Sequence, residues 1–366
     1  MLKANDHSFT GENESFRTIV IGGGQAGLAV GYYLAQQGED FIILDKNLHC
    51  GDAWRNRWDS LRLFTPSQID SLPGMPFPKP DNYFPLKDEV ANYLDEYAGY
   101  FNLPIRHEIK VENLSRNGQG YQILAGDNHY AARNVVVATG MYQIPFTPKF
   151  SNQLDLDIFQ LHASAYRNPQ QIPSNSVLVV GAGNSGAEIA LELSRSGKQV
   201  WLSGRDVGSI PLNSPLGKIF DGRLAWWFMT HILTVDTPIG RKMQASLGHH
   251  GAPLGHAHRN EIAAAGINLS PRMAGVQSGK PELENGQILS VEGIIWATGF
   301  QPDYGWIDLP IVDQHGYPIH SRGVIQNFPG LYFVGLLFQS GLTSSLLGGV
   351  GKDAADIAAR VLQNNL

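Results

Sequence analysis

The chain has 366 residues, 43% hydrophobic and 16% charged, with 41 glycines and a formal net charge of −6. That length exceeds what one ordinary core needs, so two packed domains are expected. The acidic balance, with no block of lysines or arginines, excludes general nucleic-acid binding, which requires a basic face. The single cysteine, Cys50, excludes an intramolecular disulfide, whether structural or of the redox Cys-x-x-Cys kind.

The first residues, MLKANDHSFTGENES, are polar and lack an apolar core, which predicts a loose tail and no signal peptide. The strand Thr18 to Ile21 then runs into Gly22-Gly23-Gly24-Gln25-Ala26-Gly27, a helix continues to about Gln37, Gly38 ends it, and FIILD forms the next strand. A strand entering a helix through G-x-G-x-x-G cradles a dinucleotide. Gly22 permits the turn, Gly24 admits a pyrophosphate to the backbone, and Gly27 lets the helix pack on the strand. Asp45 lies at the tip of the second strand, 23 residues after Gly22, where a carboxylate accepts hydrogen bonds from a ribose; Lys46 follows it. Further on, VVVATG (135–140) is an apolar strand ending in Ala-Thr-Gly, and Asn168 to Pro173 carries two prolines and predicts a hinge.

A second turn follows the strand Val177 to Val180, with Gly181, Gly183 and Gly186 in the same spacing and a helix to about Ser196. Counting 23 residues from Gly181 reaches Gly204, between Ser203 and Arg205, so the carboxylate of the first site is missing. An acid there repels a 2′-phosphate, whereas a guanidinium binds it through two charge-assisted hydrogen bonds, and this site reads as NADPH. The other reading leaves Arg205 a solvated charge, with Asp206 on the ribose. The run WWFMTHIL (226–233) is the most apolar stretch and falls far short of the roughly 20 residues a membrane span needs; its aromatics are expected to be buried. Four histidines within Gly248 to His258 lack a carboxylate or cysteine that completes a ligand set, so no metal is expected. GIIWATGF (293–300) repeats the Ala-Thr-Gly strand end, GLYFVG brings a strand to Gly335, and Thr343 to Ala359 predicts a helix.

An acid-terminated site followed by a phosphate-tolerant one suggests a flavin plus a nicotinamide. The expected fold is α/β, with two Rossmann-like dinucleotide-binding domains: an FAD domain (1–168 and 300–366) into which an NADPH domain (169–299) is inserted. A soluble, cytoplasmic enzyme is expected.

Gly51-Asp52-Ala53-Trp54-Arg55, then Arg62-Leu63-Phe64-Thr65-Pro66 and Leu72 to Pro78, and Leu161-His162-Ala163-Ser164-Ala165-Tyr166, resemble the flavin-containing monooxygenases, particularly their compact bacterial members of the class B flavoprotein type. The resemblance covers nearly the whole chain. Asp52 stands where the family has a second glycine. Of the family's F-x-G-x-x-x-H-x-x-x-F/Y fingerprint, His162 and Tyr166 match, while Leu156 and Ile158 occupy the Phe and Gly positions.

The resemblance implies FAD held by Gly22, Gly24, Gln25, Ala26, Gly27, Asp45, Lys46, Trp54, Arg62, Thr139, Gly140, Gly335 and Gln339. It implies NADPH held by Gly181, Gly183, Asn184, Ser185, Gly186, Ser203, Arg205, Thr298 and Gly299. Under it, NADPH reduces FAD, oxygen adds at flavin C4a, and the hydroperoxide passes one oxygen atom to a nitrogen, sulfur or carbonyl centre of a small molecule, with a homodimer as the expected assembly. An NADPH oxidase or flavin reductase of the same fold, and a flavin-binding sensor without turnover, are the alternatives. A decarboxylating oxygenation of a pyruvate-type acid is a further substrate option. His162 and Tyr166 are the candidates at the domain junction; His162 reads equally as a coupler of nicotinamide position and as a structural histidine.

Overall fold

The computed structural model describes residues 13–205, 222–250 and 259–365. The first sheet begins with β1 (Asn13–Ile21), α1 (Gln25–Gln36) and β2 (Phe41–Leu44), a parallel unit in which Thr18 pairs with Phe41 and Ile21 with Leu44. All four β2 residues are buried, as expected of a parallel strand covered on both faces. A short helix α2 (Asp52–Arg55) and the longer α3 (Lys87–Tyr100) follow. The Glu89 carboxylate accepts from the Leu86 amide at 2.9 Å, holding the start of α3. After β3 (Ile105–Arg106), the strands β4 (Asn113–Asn117), β5 (Gly120–Ala125) and β6 (Asn128–Val137) form an antiparallel meander. β6 then runs parallel to β1 along its whole length and carries the chain to the first Ala-Thr-Gly.

β7 (Ile144–Pro145) leads out of this sheet, and β8 (Phe159–His162) already belongs to the next one. The second sheet is wholly parallel. It contains β9 (Ser176–Val180), followed by α4 (Asn184–Arg195), and β10 (Gln199–Ser203). Helices α5 (Arg223–His231), α6 (Pro238–His250) and α7 (Arg259–Ala264) precede β11 (Asn268–Ser270), and a hairpin β12 (Met273–Gln277) and β13 (Lys280–Leu283) precedes β14 (Gly293–Trp296). The strand order is β11-β10-β9-β14-β8. β8 pairs residue for residue with β14, Phe159 on Gly293 and His162 on Trp296, so the boundary expected at 168/169 falls inside the unit that this sheet organises. Pro169 to Gln171 forms only a single tight turn there.

β15 (Phe300–Gln301) pairs antiparallel with β7, and the chain returns to the first sheet as β16 (Leu331–Phe333), parallel to the end of β6. The last helix, α8 (Val350–Asn364), buries Val350, Ala354, Ile357, Ala358 and Val361 on one stripe in the core that it shares with α1. The helix expected from Thr343 therefore starts later, at Val350. Ser344 Oγ accepts the Ser340 and Gly341 amides at 3.1 and 3.0 Å, a local bond that competes with helix, and Gly348-Gly349 disfavours one.

The aromatic run 226–233 also departs from expectation. Leu224, Trp227 and Phe228 of α5 are 55%, 51% and 42% exposed, and only Met229 of that helix is buried. No helix among the described residues is long and apolar enough to cross a membrane.

Candidate functional site

The two glycine turns are near copies in space. Gly22 and Gly181 adopt φ of +109° and +111°, a conformation that side-chain-bearing residues avoid. The Gly22 amide donates to Leu44 O at 2.8 Å and the Gly181 amide to Ser203 O at 2.7 Å, so each turn is pinned to the neighbouring strand. The Ala138 amide donates to Ile21 O and the Ala297 amide to Val180 O, both at 2.8 Å, so each Ala-Thr-Gly lies directly beside a turn. A Cβ on Gly27 would overlap Gly22 O, and one on Gly186 would overlap Gly181 O; these glycines bring helix against strand. Gly24 and Gly183, by contrast, face open space and begin α1 and α4 with no side-chain cap. The first-turn amides and the helix dipole suit a pyrophosphate at both places, so the cradles fit a dinucleotide each.

The turns differ one residue on. In the first, the Gly23 amide donates to Asp45 Oδ2, and Asn47 N donates to Oδ1 at 2.6 Å. Asp45 is only 4% exposed, and its carboxylate keeps lone pairs beyond those two bonds for a ribose hydroxyl. In the second turn, Ala182 stands in the place of Gly23, and a Cβ on Gly204 would lie 2.6 Å from the Ala182 Cβ. The same Cβ would lie 2.6 Å from the Ala182 backbone N, so no side chain, an acid included, fits at 204. This pairing of positions 23 with 45 and 182 with 204 is visible in the two aligned turns, yet only the contact gives it meaning. Arg205 is exposed; Asp206 and residues 251–258 of the histidine-rich stretch lie outside the described residues.

Other expected FAD contacts fall into two groups. Gly335, with φ of +81°, brings the end of β16 against Ala26, and Gln25 Nε2 donates to Ser345 O at 2.9 Å, closing the 341–349 segment over the start of α1. Trp54 packs partly buried on the first core, while Lys46 and Arg62 are exposed, Arg62 donating to Phe84 O at 3.2 Å. Gln339 is instead turned inward: Nε2 donates to Phe333 O at 3.0 Å and Oε1 accepts from Leu336 N at 3.3 Å, so its amide shapes its own loop. Among the expected NADPH contacts, Asn184 and Ser185 open α4 and are partly buried. Ser203 is buried, its hydroxyl spent on Pro271 O at 2.7 Å.

The two Ala-Thr-Gly segments meet where the sheets join. Gln143 Nε2 donates to Thr139 Oγ1 at 2.9 Å and Gly140 O at 3.0 Å, while Gln143 Oε1 accepts from the Asp303 amide. Phe146 N donates to Gly299 O at 2.9 Å, and Thr298 Oγ1 donates to Phe146 O. Both threonine hydroxyls thus serve the crossing itself. His162 joins it: Nδ1 accepts the Ser164 amide at 3.1 Å, which leaves Nε2–H to donate to Gly299 O at 3.1 Å. Burial holds the imidazole below its ordinary range, with the Gly299 carbonyl opposing and Arg57 reinforcing, so a neutral ring with defined tautomer ties β8 to the second crossing.

Tyr166 does not share that place. It is fully buried in the core of the second sheet and donates to Glu192 Oε2 of α4 at 2.8 Å, so it ties the turn after β8 to α4. Two residues escaped the sequence reading. Asp70 is buried and pushed up to about 8 by burial, against the Thr65 hydroxyl that donates to Oδ1 at 2.6 Å; its Oδ2 has no partner among the described residues. Arg57 stands between the crossings. Neither lies in a motif, which is why no spacing revealed it.

Two sheets, each built on a parallel strand–turn–helix–strand unit (β1-α1-β2 and β9-α4-β10) with a glycine cradle where the strand enters the helix, define a two-dinucleotide flavoprotein oxidoreductase. Residues 19–212 match the pyridine nucleotide-disulphide oxidoreductase family, and the chain belongs to it. It is 40% identical to an uncharacterized CzcO-like oxidoreductase of Geobacillus kaustophilus, across 94% of this chain and 98% of that one. It is 27% identical to a probable indole-3-pyruvate monooxygenase of Arabidopsis thaliana, across 93% and 85%. A flavin-containing monooxygenase of Stenotrophomonas maltophilia superimposes with a TM-score of 0.79 at 26% identity, covering 96% of this chain and all of that one. The protein is a flavin-dependent oxidoreductase of the monooxygenase type, and FAD and NADPH are its cofactors.

Proposed function

We propose that the enzyme is an NADPH-dependent monooxygenase that oxygenates a nitrogen, sulfur or carbonyl centre of a small molecule. The observation that carries this reading is the thiol inventory. A disulfide reductase relays electrons through a cysteine pair, and this chain has Cys50 alone. Cys50 is buried and its thiol is pushed up to about 12, by burial first and by Asp95 and Asp45 next, which makes it a poor nucleophile. With no thiol relay in the chain, oxygen is the natural acceptor for electrons that enter as hydride. Bound FAD supplies that chemistry, taking a hydride from NADPH and passing one oxygen atom to the substrate and the other to water.

The chain's own part is binding and closure. In this reading the first cradle, with Asp45, Gln25 and Gly335, holds FAD, and the second, with Asn184, Ser185 and Arg205, holds NADPH. The FAD domain comprises the first sheet with β16 and α8, and the NADPH domain the second sheet from β8 to β14. The β7–β15 pair forms the crossing between them. His162 is a positioning residue: its Nε2–H bond to Gly299 O fixes the second Ala-Thr-Gly relative to β8, and with it the register of the two cradles. A cytoplasmic setting keeps the lone thiol reduced.

The test is to reduce the purified flavoprotein anaerobically with NADPH, mix it rapidly with oxygen, and follow the flavin spectrum. A transient absorbing as neither oxidised nor reduced flavin, followed by less than stoichiometric peroxide once substrate is added, is expected. Direct reoxidation with stoichiometric peroxide would instead assign an NADPH oxidase. That second reading draws on Leu156, which stands fully exposed where the family fingerprint carries phenylalanine.

A further inference from the structure

Arg55, the last residue of α2, and Arg57, two residues on, meet opposite fates. Arg55 is fully engaged: its guanidinium bonds Asp52 at 3.1 Å, Asp95 at 2.5 Å and Asn92 at 3.1 Å. The Arg57 guanidinium has no carboxylate and no hydrogen-bond acceptor among the described residues. It lies over the rings of Tyr142 and Phe300, at 5.4 and 5.6 Å from their centroids. These two rings belong to the two crossings and touch edge to face, at 5.3 Å; His162 stacks edge-on against Phe300 at 5.4 Å. Asp59, two residues on, is already bonded by Asn168 Nδ2 at 2.7 Å. Arg167, its own guanidinium held by Ser164 O and Tyr166 O at 3.1 Å, adds positive charge instead of relieving it, and burial is the main force that lowers the Arg57 pKa.

A half-buried guanidinium beside another cation, with aromatic walls and unused donors, is an arrangement that folding alone does not favour. The rings compensate it in part, because a guanidinium is attracted to their faces. What they cannot supply is an acceptor for the planar fork of N–H donors, which matches a carboxylate or phosphate in two parallel bonds. Tyr142 is 72% exposed, so this donor set opens toward solvent at the junction of the two sheets.

We propose that Arg57 is the oxyanion-recognising residue of the junction, gripping either the carboxylate of an aromatic acid substrate or a phosphate of NADPH between Tyr142 and Phe300. This deepens the monooxygenase reading and rests on the two cradles being filled as described there. Its test is nonetheless a binding measurement, independent of whether oxygen is transferred. The FAD-loaded protein and its Arg57→Met and Arg57→Lys variants are titrated anaerobically with indole-3-acetate, and with the uncharged indole-3-acetamide, by the flavin difference spectrum. In parallel, the rate of flavin reduction is followed against NADPH concentration.

In Arg57→Met the affinity for one of the two anions is expected to fall at least tenfold, with Arg57→Lys in between and the amide unaffected. Loss on the indole-3-acetate arm identifies a substrate carboxylate; loss on the NADPH arm identifies a cofactor phosphate. Because the Arg57 guanidinium has no hydrogen-bond acceptor among the described residues, the melting temperature is expected to hold or rise. Unchanged affinity on both arms overturns the proposal, and so does a fall in melting temperature without a loss of affinity, which would make Arg57 a strut. Failure of the oxygen-transfer test leaves these binding arms readable, so the two failures are distinguishable.

Discussion

The first and second glycine turns share a backbone and differ in one exchanged pair: Gly23 facing Asp45 in the first, Ala182 facing Gly204 in the second. In the proposed reading the backbone serves what both sites do, bringing phosphates to helix amides without a side-chain cap. The exchanged pair is where the sites part. In the first turn the Gly23 amide donates to the Asp45 carboxylate, whereas in the second the backbone and methyl of Ala182 leave no room for a side chain at 204. Steric exclusion and charge therefore favour the same outcome at the second site: a place without an acid, beside Arg205, compatible with a 2′-phosphate.

The largest effect should come from the shared backbone. Gly27→Ala places a methyl on Gly22 O and is expected to give protein that purifies without flavin, read from its visible absorbance. Gly186→Ala, with the same clash at Gly181 O, is expected to keep its flavin while NADPH-driven reduction slows about a hundredfold or more, roughly 2.8 kcal/mol in the barrier. If both variants lose flavin, the two turns do not divide the nucleotides as proposed. Next comes the exchanged pair. Gly204→Asp should abolish reduction by NADPH, and Ala182→Gly/Gly204→Asp should regain little with either nucleotide, because a Cβ at 204 also meets the backbone N of residue 182 at 2.6 Å. Comparing kcat/KM for the two nucleotides decides it. Arg205→Ala, which leaves the turn intact, should lower the NADPH-over-NADH preference by about tenfold, close to 1.4 kcal/mol.

Smaller effects separate the acids that each half buries. Folded, Asp70 stays protonated up to about 8, against an ordinary 3.8. Its contribution to stability is full below 3.8 and is lost as pH rises through 8, because the folded chain holds the extra proton in that window. Asp70→Asn should flatten the decline in melting temperature between pH 5 and 8. In the second half, Tyr166→Phe removes the bond to Glu192 and should cost about 1.5–3 kcal/mol of stability. The flavin reduction rate should not change; a slower rate would return Tyr166 to the cofactor site.

Much of the frame was legible because it rests on local rules. Strand, glycine turn and helix follow one another within a few residues at both sites, and Asp45 against Gly204 appears at a fixed count from the turn. The late start of α8 was not legible, since Ser344 competes for backbone amides only once residues 340 and 341 fold beside it. Tyr166 and Gln339 matched a pattern of residue type, yet their direction depends on Glu192, Phe333 and Leu336, which sequence separation or loop geometry hides.

The sequence by itself determined that the chain holds two dinucleotides and lacks a thiol relay, because glycine spacing and cysteine count act through local geometry and stoichiometry. Only the tertiary structure decided how the two cradles are joined: Gln143, Phe146 and His162 lock two Ala-Thr-Gly segments more than 150 residues apart, and Arg57 is left between them without an acid. Such contacts depend on which side chains the two sheets bring together, and no count along the chain contains that distance.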